Sequence, residues 1–304
     1  MTMKTFKLAT WNLQKGPALE DFAKSNFFAA AARSARYQVL GGLIRNSDIV
    51  FVQEPPVEIR QETQQVDFAN IEAQEQVWSS YNQEADNQAH KSANRPAYYS
   101  QFAMRLLEVP SDCPANGSED AFRLSAMGWA VTALGEAIFV SLHATSGYGA
   151  KRNTTEFLKW LAKWVPDQHR NVRFVLIGAD FNHTPNPTSY KVENCSVEFS
   201  LPTQMTQQSG NAIDGFCCLI VDPAITVKWQ NSQRVCTGEC AGAIETKMVQ
   251  VNPNILQAVN QRGYLGKLTA GPLAGTSAVL SSDMWVRMSD HCAVVGAIDI
   301  SCPD

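Results

Sequence analysis

Five short polar stretches, each following an apolar run, hold the residues of this chain that could do chemistry. They are Thr10-Trp11-Asn12-Leu13-Gln14, Asp48-Ile49-Val50-Phe51-Val52-Gln53-Glu54, Ser141-Leu142-His143-Ala144, Gly178-Ala179-Asp180-Phe181-Asn182 and Ser289-Asp290-His291. Among their residues are the carboxamides of Asn12 and Asn182, the carboxylates of Glu54, Asp180 and Asp290, and the imidazoles of His143 and His291, all near the ends of strand-like segments. Hard oxygen donors of this kind suit Mg²⁺, which keeps several of its waters. Imidazoles and carboxylates can move protons near neutral pH. Such a set can hold a divalent cation, aim a water and protonate a leaving oxygen. Each motif alone also has a plain structural reading. Glu54 can be a solvated carboxylate at a strand mouth, Asp180-Phe181-Asn182 an Asx-turn, and His143 a structural histidine.

The elements that must position these groups follow from the apolar patterning. Residues 6–12 alternate as a strand ending on Asn12, and 48–54 form a nearly continuous apolar run, as in a strand buried on both faces. Pro55-Pro56 ends that run. Strands are expected over 96–109, 126–143, 172–178, 212–221 and 291–300. An Ala-rich helix is expected from Leu19 to Arg45, with Gly41-Gly42 as a weak point. Asn153-Thr154-Thr155-Glu156 fits a capping box. Phe157, Trp160, Leu161, Trp164 and Val165 then recur at helical spacing, with Pro166 as the stop. A short strand near Val77-Trp78 and a helix near 253–262 complete the pattern. Strands mixed with a few helices, several neighbours antiparallel, predict an α/β sandwich with mixed sheets.

The composition is that of an ordinary globular protein: 45% apolar and 18% charged among 304 residues. No apolar run approaches the ~20 residues of a membrane span. Residues 1–5 lead straight into a strand without the apolar stretch of a signal peptide, so an intracellular protein or a mature form is expected. The formal charge of −4 excludes binding of nucleic acid by bulk positive charge. DNA binding would rest on a local patch and a metal. The eight cysteines lack zinc-like pairing. Cys217, Cys218 and Cys292 read as reduced core residues, Cys236 and Cys240 as a candidate local disulfide, and Cys302 as a thiol open to another chain. The candidate residues run from Asn12 to His291, so a single catalytic domain over 1–304 is expected.

The order and wording of the motifs resemble the endonuclease/exonuclease/phosphatase (DNase I-like) superfamily. Within it they are most similar to the nuclease subunit of the bacterial cytolethal distending toxins. The resemblance runs from residue 6 to residue 298 and is thin over 57–92 and 226–285. It implies a four-layer α/β/β/α sandwich with the site at one end of two sheets. It also implies that Asn12 and Glu54 hold Mg²⁺, with Asp290 a ligand or near neighbour; Mn²⁺ and Ca²⁺ are candidate substitutes in vitro. By the same resemblance Asp180 positions or deprotonates water and Asn182 holds a phosphoryl oxygen. Asp214, in Asn211-Ala212-Ile213-Asp214, orients His291. His143 and His291 stabilise the pentacovalent state and assist the leaving oxygen. Arg95, in Ala93-Asn94-Arg95, and Arg123, before Gly128, match segments whose arginines contact phosphate, a bidentate role that suits arginine. The chain departs from the pattern at Ala179, Gly215 and Leu124, where the family usually has Gly, Tyr and Pro.

The expected activity is Mg²⁺-dependent cleavage of DNA. The alternatives are the same chemistry on a phosphoinositide or other phosphoester, and a catalytically silent binding protein of the same fold. Toxin carrier subunits are expected partners, and the expected location is that of a secreted subunit acting inside a host cell, otherwise the cytoplasm.

Overall fold

The computed structural model describes residues 1–13, 39–54, 96–110, 112–114, 125–207, 211–235, 240–241, 244–250, 283–289 and 291–303. The chain builds two large mixed sheets. The first joins β1 (Thr2–Asn12), β2 (Ile49–Gln53), β3 (Ala97–Ser100), β11 (Thr226–Val235) and β15 (Ala293–Cys302) in the order β11-β15-β1-β2-β3. The second joins β4 (Arg105–Leu107), β5 (Ala126–Thr132), β6 (Gly135–His143), β7 (Val172–Asp180), β8 (Ser189–Val192), β9 (Cys195–Ser200) and β10 (Asp214–Ile220) in the order β4-β5-β6-β7-β10-β9-β8. In each, one central pair is parallel, β1 with β2 and β6 with β7, and the other pairs are antiparallel. A three-stranded sheet of β12 (Cys240–Ala241), β13 (Ile244–Gln250) and β14 (Asp283–Ser289) accompanies them.

Side chains alternate across a strand, so each central strand serves two interfaces. Phe6, Leu8, Ile49, Phe51, Ile298 and Ile300 of the first sheet meet Phe139, Phe174, Leu176 and Phe216 of the second in one buried cluster. The alternate residues of the second sheet, Ile138, Val140, Val175 and Ile177, pack instead on helix α2 (Ala150–Gln168) through Phe157, Leu158, Leu161 and Val165. Helix α1 (residues 39–46) contributes buried Val39, Leu40, Leu43 and Ile44. The layer order expected from the sequence, with two sheets sandwiched and helices outside, is the one observed. Each fully buried Phe or Leu in such a core contributes about 1.5–3 kcal/mol.

Several local expectations need correction. The segment 96–109 is two strands in different sheets. Ser100 Oγ donates to the Phe102 carbonyl (2.8 Å) and accepts the Phe102 N–H (3.1 Å), closing a turn that carries the chain from one sheet to the other. Helix α2 starts at Ala150, not after a capping box at Asn153; Asn153 Oδ1 instead accepts the Thr145 N–H (3.2 Å) from inside the helix. Pro166 does not stop the helix, which continues to Gln168. Proline removes the donor to the carbonyl four residues back; that carbonyl, on Ala162, has the Cys195 thiol at 3.9 Å. Gly41 and Gly42 lie within α1 without interrupting it. Cys302 is buried against Arg173 Nη2 (2.7 Å), so its thiol is not presented to another chain. Cys217, Cys218 and Cys292 are buried free thiols as expected. The expected strand near Val77-Trp78, the helix near 253–262, most of the helix expected from Leu19, and Cys236 lie outside the described residues.

Candidate active site

The inward-facing positions change character toward one end of the two sheets. On β1 they run Phe6, Leu8, Thr10, Asn12; on β6, Phe139, Ser141, His143; on β7, Phe174, Leu176, Gly178, Asp180. The site is the continuation of the inter-sheet core, so the strands that form the core also set its geometry. Asp180 pairs in register with His143 on the parallel side and with Asp214 on the antiparallel side. These three side chains are at most 1% exposed.

Contacts from the first sheet complete the cluster. Asn12 Nδ2 donates to Asp180 Oδ2 (2.9 Å). His143 Nε2 lies 3.5 Å from Asp180 Oδ2 and 3.6 Å from Glu54 Oε1, and His291 Nε2 lies 3.8 Å from Asp180 Oδ2. Glu54 follows β2 with φ +49°. This left-handed conformation turns the chain at the strand's mouth; non-glycine residues adopt it at a cost and mostly at functional or turn positions.

His291 is held by its backbone and by its ring. Trp11 Nε1 donates to the His291 carbonyl (3.0 Å), and the ring Nδ1 sits 2.9 and 3.1 Å from the two Asp214 carboxylate oxygens. A carboxylate only accepts, so Nδ1 carries a proton and Nε2 faces Asp180. Thr206, fully buried, ties this pair together. Its Oγ1 accepts the N–H groups of Ile213 (3.0 Å) and Asp214 (3.1 Å), and its carbonyl accepts the Cys292 N–H (2.8 Å). Gly215 leaves room here; a Cβ would stand 2.7 Å from the Ser200 carbonyl.

Asn182 forms the Asx-turn of the plain reading: its N–H donates to Asp180 Oδ1 (2.8 Å) with φ +53°. Its Nδ2 donates to the Ala144 carbonyl (2.8 Å), so in this conformation the carboxamide braces the ends of β6 and β7. Burial pushes the Asp180 carboxyl up to about 7, with the Asp214 carboxylate adding to it; His291, the Asn12 amide and the Asn182 N–H oppose the rise.

This donor set fits a hard divalent cation. Three carboxylates, those of Glu54, Asp180 and Asp214, share the pole with two imidazoles, and Asp180, Asp214 and His291 offer ligand atoms within 4.8 Å of one another. Asp214 engages the His291 ring, and Glu54 and Asn12 bring further oxygen donors from the first sheet to the same pole. The Glu54 side chain is 15% exposed, which suits an ion that retains water. Asn12 gives its Nδ2 to Asp180, so it would bind a metal through Oδ1.

The structure thus brings together Asn12, Glu54, His143, Asp180, Asn182, Asp214 and His291. Asp290, Arg95 and Arg123 lie outside the described residues. Sequence reasoning missed Thr206, and it assigned no role to Gln53 or Ser141. The signal for the last two was present, as buried polar residues interrupting apolar runs.

The fold and this pole define a protein that gathers carboxylates and imidazoles at one end of a two-sheet sandwich. The profile of the Endonuclease/Exonuclease/phosphatase family matches residues 9–216, and the chain belongs to that family. No curated protein matches it in sequence. Among solved structures it is similar to truncated Caenorhabditis elegans TDP2, at 12% identity and TM-score 0.53 over 98% of each chain. It is similar also to D. rerio TDP2 complexed with a single-strand DNA product, at 11% identity and TM-score 0.50 over 97% of this chain and 98% of that one. The Haemophilus ducreyi cytolethal distending toxin matches at 15% identity and TM-score 0.44 over 96% and 97% of the two chains. No helix among the described residues is long and apolar enough to cross a membrane.

Proposed function

We propose that the chain is a Mg²⁺-dependent phosphodiesterase that nicks DNA. One observation carries this reading: Asp180 Oδ2 gathers Asn12 Nδ2, His143 Nε2 and His291 Nε2 within 3.8 Å at the mouth of two sheets. Glu54 and Asn12 would hold the metal, with Asp290 beside His291 as a further ligand or near neighbour. When bound, the ion supplies Lewis acidity and neutralises charge on the phosphoryl oxygens.

The remaining work falls to the side chains. Asp180 receives the proton of the attacking water, or orients that water; a carboxyl raised toward neutrality is suited to proton transfer near pH 7. Asp214 keeps His291 protonated at Nδ1 and stabilises the imidazolium if Nε2 also gains a proton. His143 and His291 donate toward the phosphoryl and leaving oxygens. Asn182 can reach a phosphoryl oxygen on releasing the Ala144 carbonyl. Arg95 and Arg123 anchor neighbouring phosphates. The full set of imidazoles and carboxylates argues against a silent binding protein. The sequence motifs, rather than the fold, suggest a secreted toxin subunit working with carrier subunits in a host cell.

Relaxation of supercoiled plasmid by the purified chain, with Mg²⁺ and with EDTA, tests the proposal, with a phosphoinositide assayed in parallel. His143→Ala and His291→Ala are each expected to lower turnover at least ~100-fold while remaining folded. Near-wild-type nicking by both variants would remove the assignment. Cleavage of the phosphoinositide without nicking would redirect it to a phosphatase.

A further inference from the structure

We infer that Gln53 is a positioning residue that fixes the two halves of the candidate active site against each other; the inference rests on the function proposed above. The halves come from different sheets. Asn12 and Glu54 end β1 and β2, whereas His143 and Asp180 end β6 and β7. Main-chain pairing aligns strands within each sheet but not one sheet against the other. Apolar packing supplies most of the adhesion but is non-directional; Asn12 Nδ2 to Asp180 Oδ2 and Ser141 Oγ to the Val52 carbonyl already cross the seam with direction. A buried contact that reaches several strands at once, one layer beneath the ligands, would hold their ends together most firmly.

Gln53 supplies it. Its side chain is fully buried. Nε2 lies 3.1 Å from Ser141 Oγ on β6, 3.4 Å from the Gly178 carbonyl on β7 and 3.2 Å from Thr10 Oγ1 on β1. Thr10 Oγ1 in turn donates to Gln53 Oε1 (3.3 Å). The amide orientation is not arbitrary. The Gly178 carbonyl only accepts, and Ser141 spends its hydroxyl proton on the Val52 carbonyl (3.0 Å), so the NH₂ group must face the second sheet. The sheets are close here because Gly178 has no side chain: the Phe51 ring occupies the place of its Cβ.

The register gives this network its consequence. Thr10 stands two residues before Asn12, Ser141 two before His143, Gly178 two before Asp180, and Gln53 one before Glu54. A single carboxamide on β2 thus touches the other three strands at the layer directly beneath the four groups proposed to face the metal and phosphate. The Gln53 carbonyl also accepts the Leu13 N–H (2.9 Å), which holds the β1 and β2 ends together above Asn12. Without the carboxamide the ends can shift by fractions of an ångström, and partners of this kind typically matter 10- to 100-fold in metal affinity or rate.

The test is Gln53→Met in the full chain, which keeps the length and apolar bulk and deletes the hydrogen bonds. Ser141→Ala, removing one partner only, serves as the milder companion. Calorimetric titration with Mg²⁺ or Mn²⁺ is expected to show affinity weakened about tenfold or more in Gln53→Met. On plasmid DNA, kcat should fall about 10- to 100-fold with KM for DNA within about twofold. A purely structural role would lower the melting temperature without this split. Ser141→Ala should move both readouts in the same direction, by less. Wild-type metal affinity and kcat in folded Gln53→Met overturn the inference. If Gln53→Met does not fold, the same result in Ser141→Ala overturns it. A wild-type chain that neither binds metal nor cleaves a phosphoester overturns the proposed function and this inference together. An active wild type with an indistinguishable Gln53→Met overturns this inference alone.

Discussion

Strand β7 carries a charged residue at each end, and the two ends are treated in opposite ways. At Arg173 every charge has its complement. Nε donates to Asp222 Oδ2 (2.8 Å), Nη1 to the Leu134 carbonyl (3.0 Å) and Nη2 to Cys302 Sγ (2.7 Å). The Ala224 N–H and the Arg173 guanidinium hold the Asp222 carboxyl below its ordinary value. At Asp180 the carboxylate is buried beside a second carboxylate, and its pKa rises to about 7. One end is a tie that closes the sandwich, joining the β5–β6 turn, β7, the segment after β10 and the end of β15. The other end holds charge that folding alone would not select, as at sites kept for chemistry rather than stability.

The largest effect that would break this contrast comes from Asp180→Asn. If the pole is kept for chemistry at the expense of stability, nicking activity should fall about 100- to 10,000-fold. The metal-free protein should melt at the same temperature or higher, since the like-charge contact with Asp214 is gone while the Asn12 contact can persist. A variant that melts well below wild type in EDTA would show Asp180 to be a structural tie like Arg173.

The opposite end should respond in reverse. Arg173→Met removes three donors and leaves Asp222 without its cation. Arg173 and Asp222 are 26% and 31% exposed, so solvent screens part of the loss. A destabilisation of about 1–2 kcal/mol is expected by chemical denaturation. Plasmid nicking at 25 °C should stay within about twofold, because Arg173 lies at the far end of β7 from Asp180. A large loss of kcat in a folded Arg173→Met would mean that the two ends are coupled through the strand.

How far the sequence carried the site follows from the same geometry. Asn12, Glu54, His143 and Asp180 were legible because each ends an apolar run, and the end of a buried strand is where a polar side chain can face a cleft. The pairing of Asp214 with His291 came from the family resemblance; the spacing of two residues so far apart in the chain holds no such information. The bracing layer was less legible. Thr206 lies in a polar loop and acts mostly through its hydroxyl to backbone N–H groups, which leaves no pattern in the chain. Gln53 reads as one more polar residue beside Glu54 until the second sheet is seen across from it. The strand at 96–109 was misread as continuous because its two halves are both apolar-rich, and only the Ser100 hydroxyl marks the turn between sheets. Helix α2 outran Pro166 because its buried face, Phe157 to Val165, is anchored on the sheet regardless of one missing hydrogen bond.

The smallest effect, and the finest test of the contrast, is the pH dependence of melting in EDTA. For Asp180 the folded pKa, about 7, lies above the unfolded value near 3.9. Its ionised form is disfavoured by folding, so the penalty is full above pH 7 and is relieved as pH falls from 7 toward 4. For Asp222 the folded pKa is depressed. Its contribution is therefore full above the unfolded value and is lost as pH falls below about 4. Asp299, held low by Thr5 and Gln230, acts in the same acid window. His169 and His183, held below the ordinary imidazole value chiefly by burial, act with the opposite sign as pH falls through 6.5. The Asp180 contribution is therefore read as the difference between wild type and Asp180→Asn from pH 8 to pH 5, and the wild-type melting temperature should drop below pH 4. Asp180→Asn should change the curve between pH 5 and 8 alone, and Arg173→Met should shrink the acid drop alone. If wild type and Asp180→Asn trace one curve between pH 5 and 8, the buried carboxylate is not strained, and the two ends of β7 differ in position but not in kind.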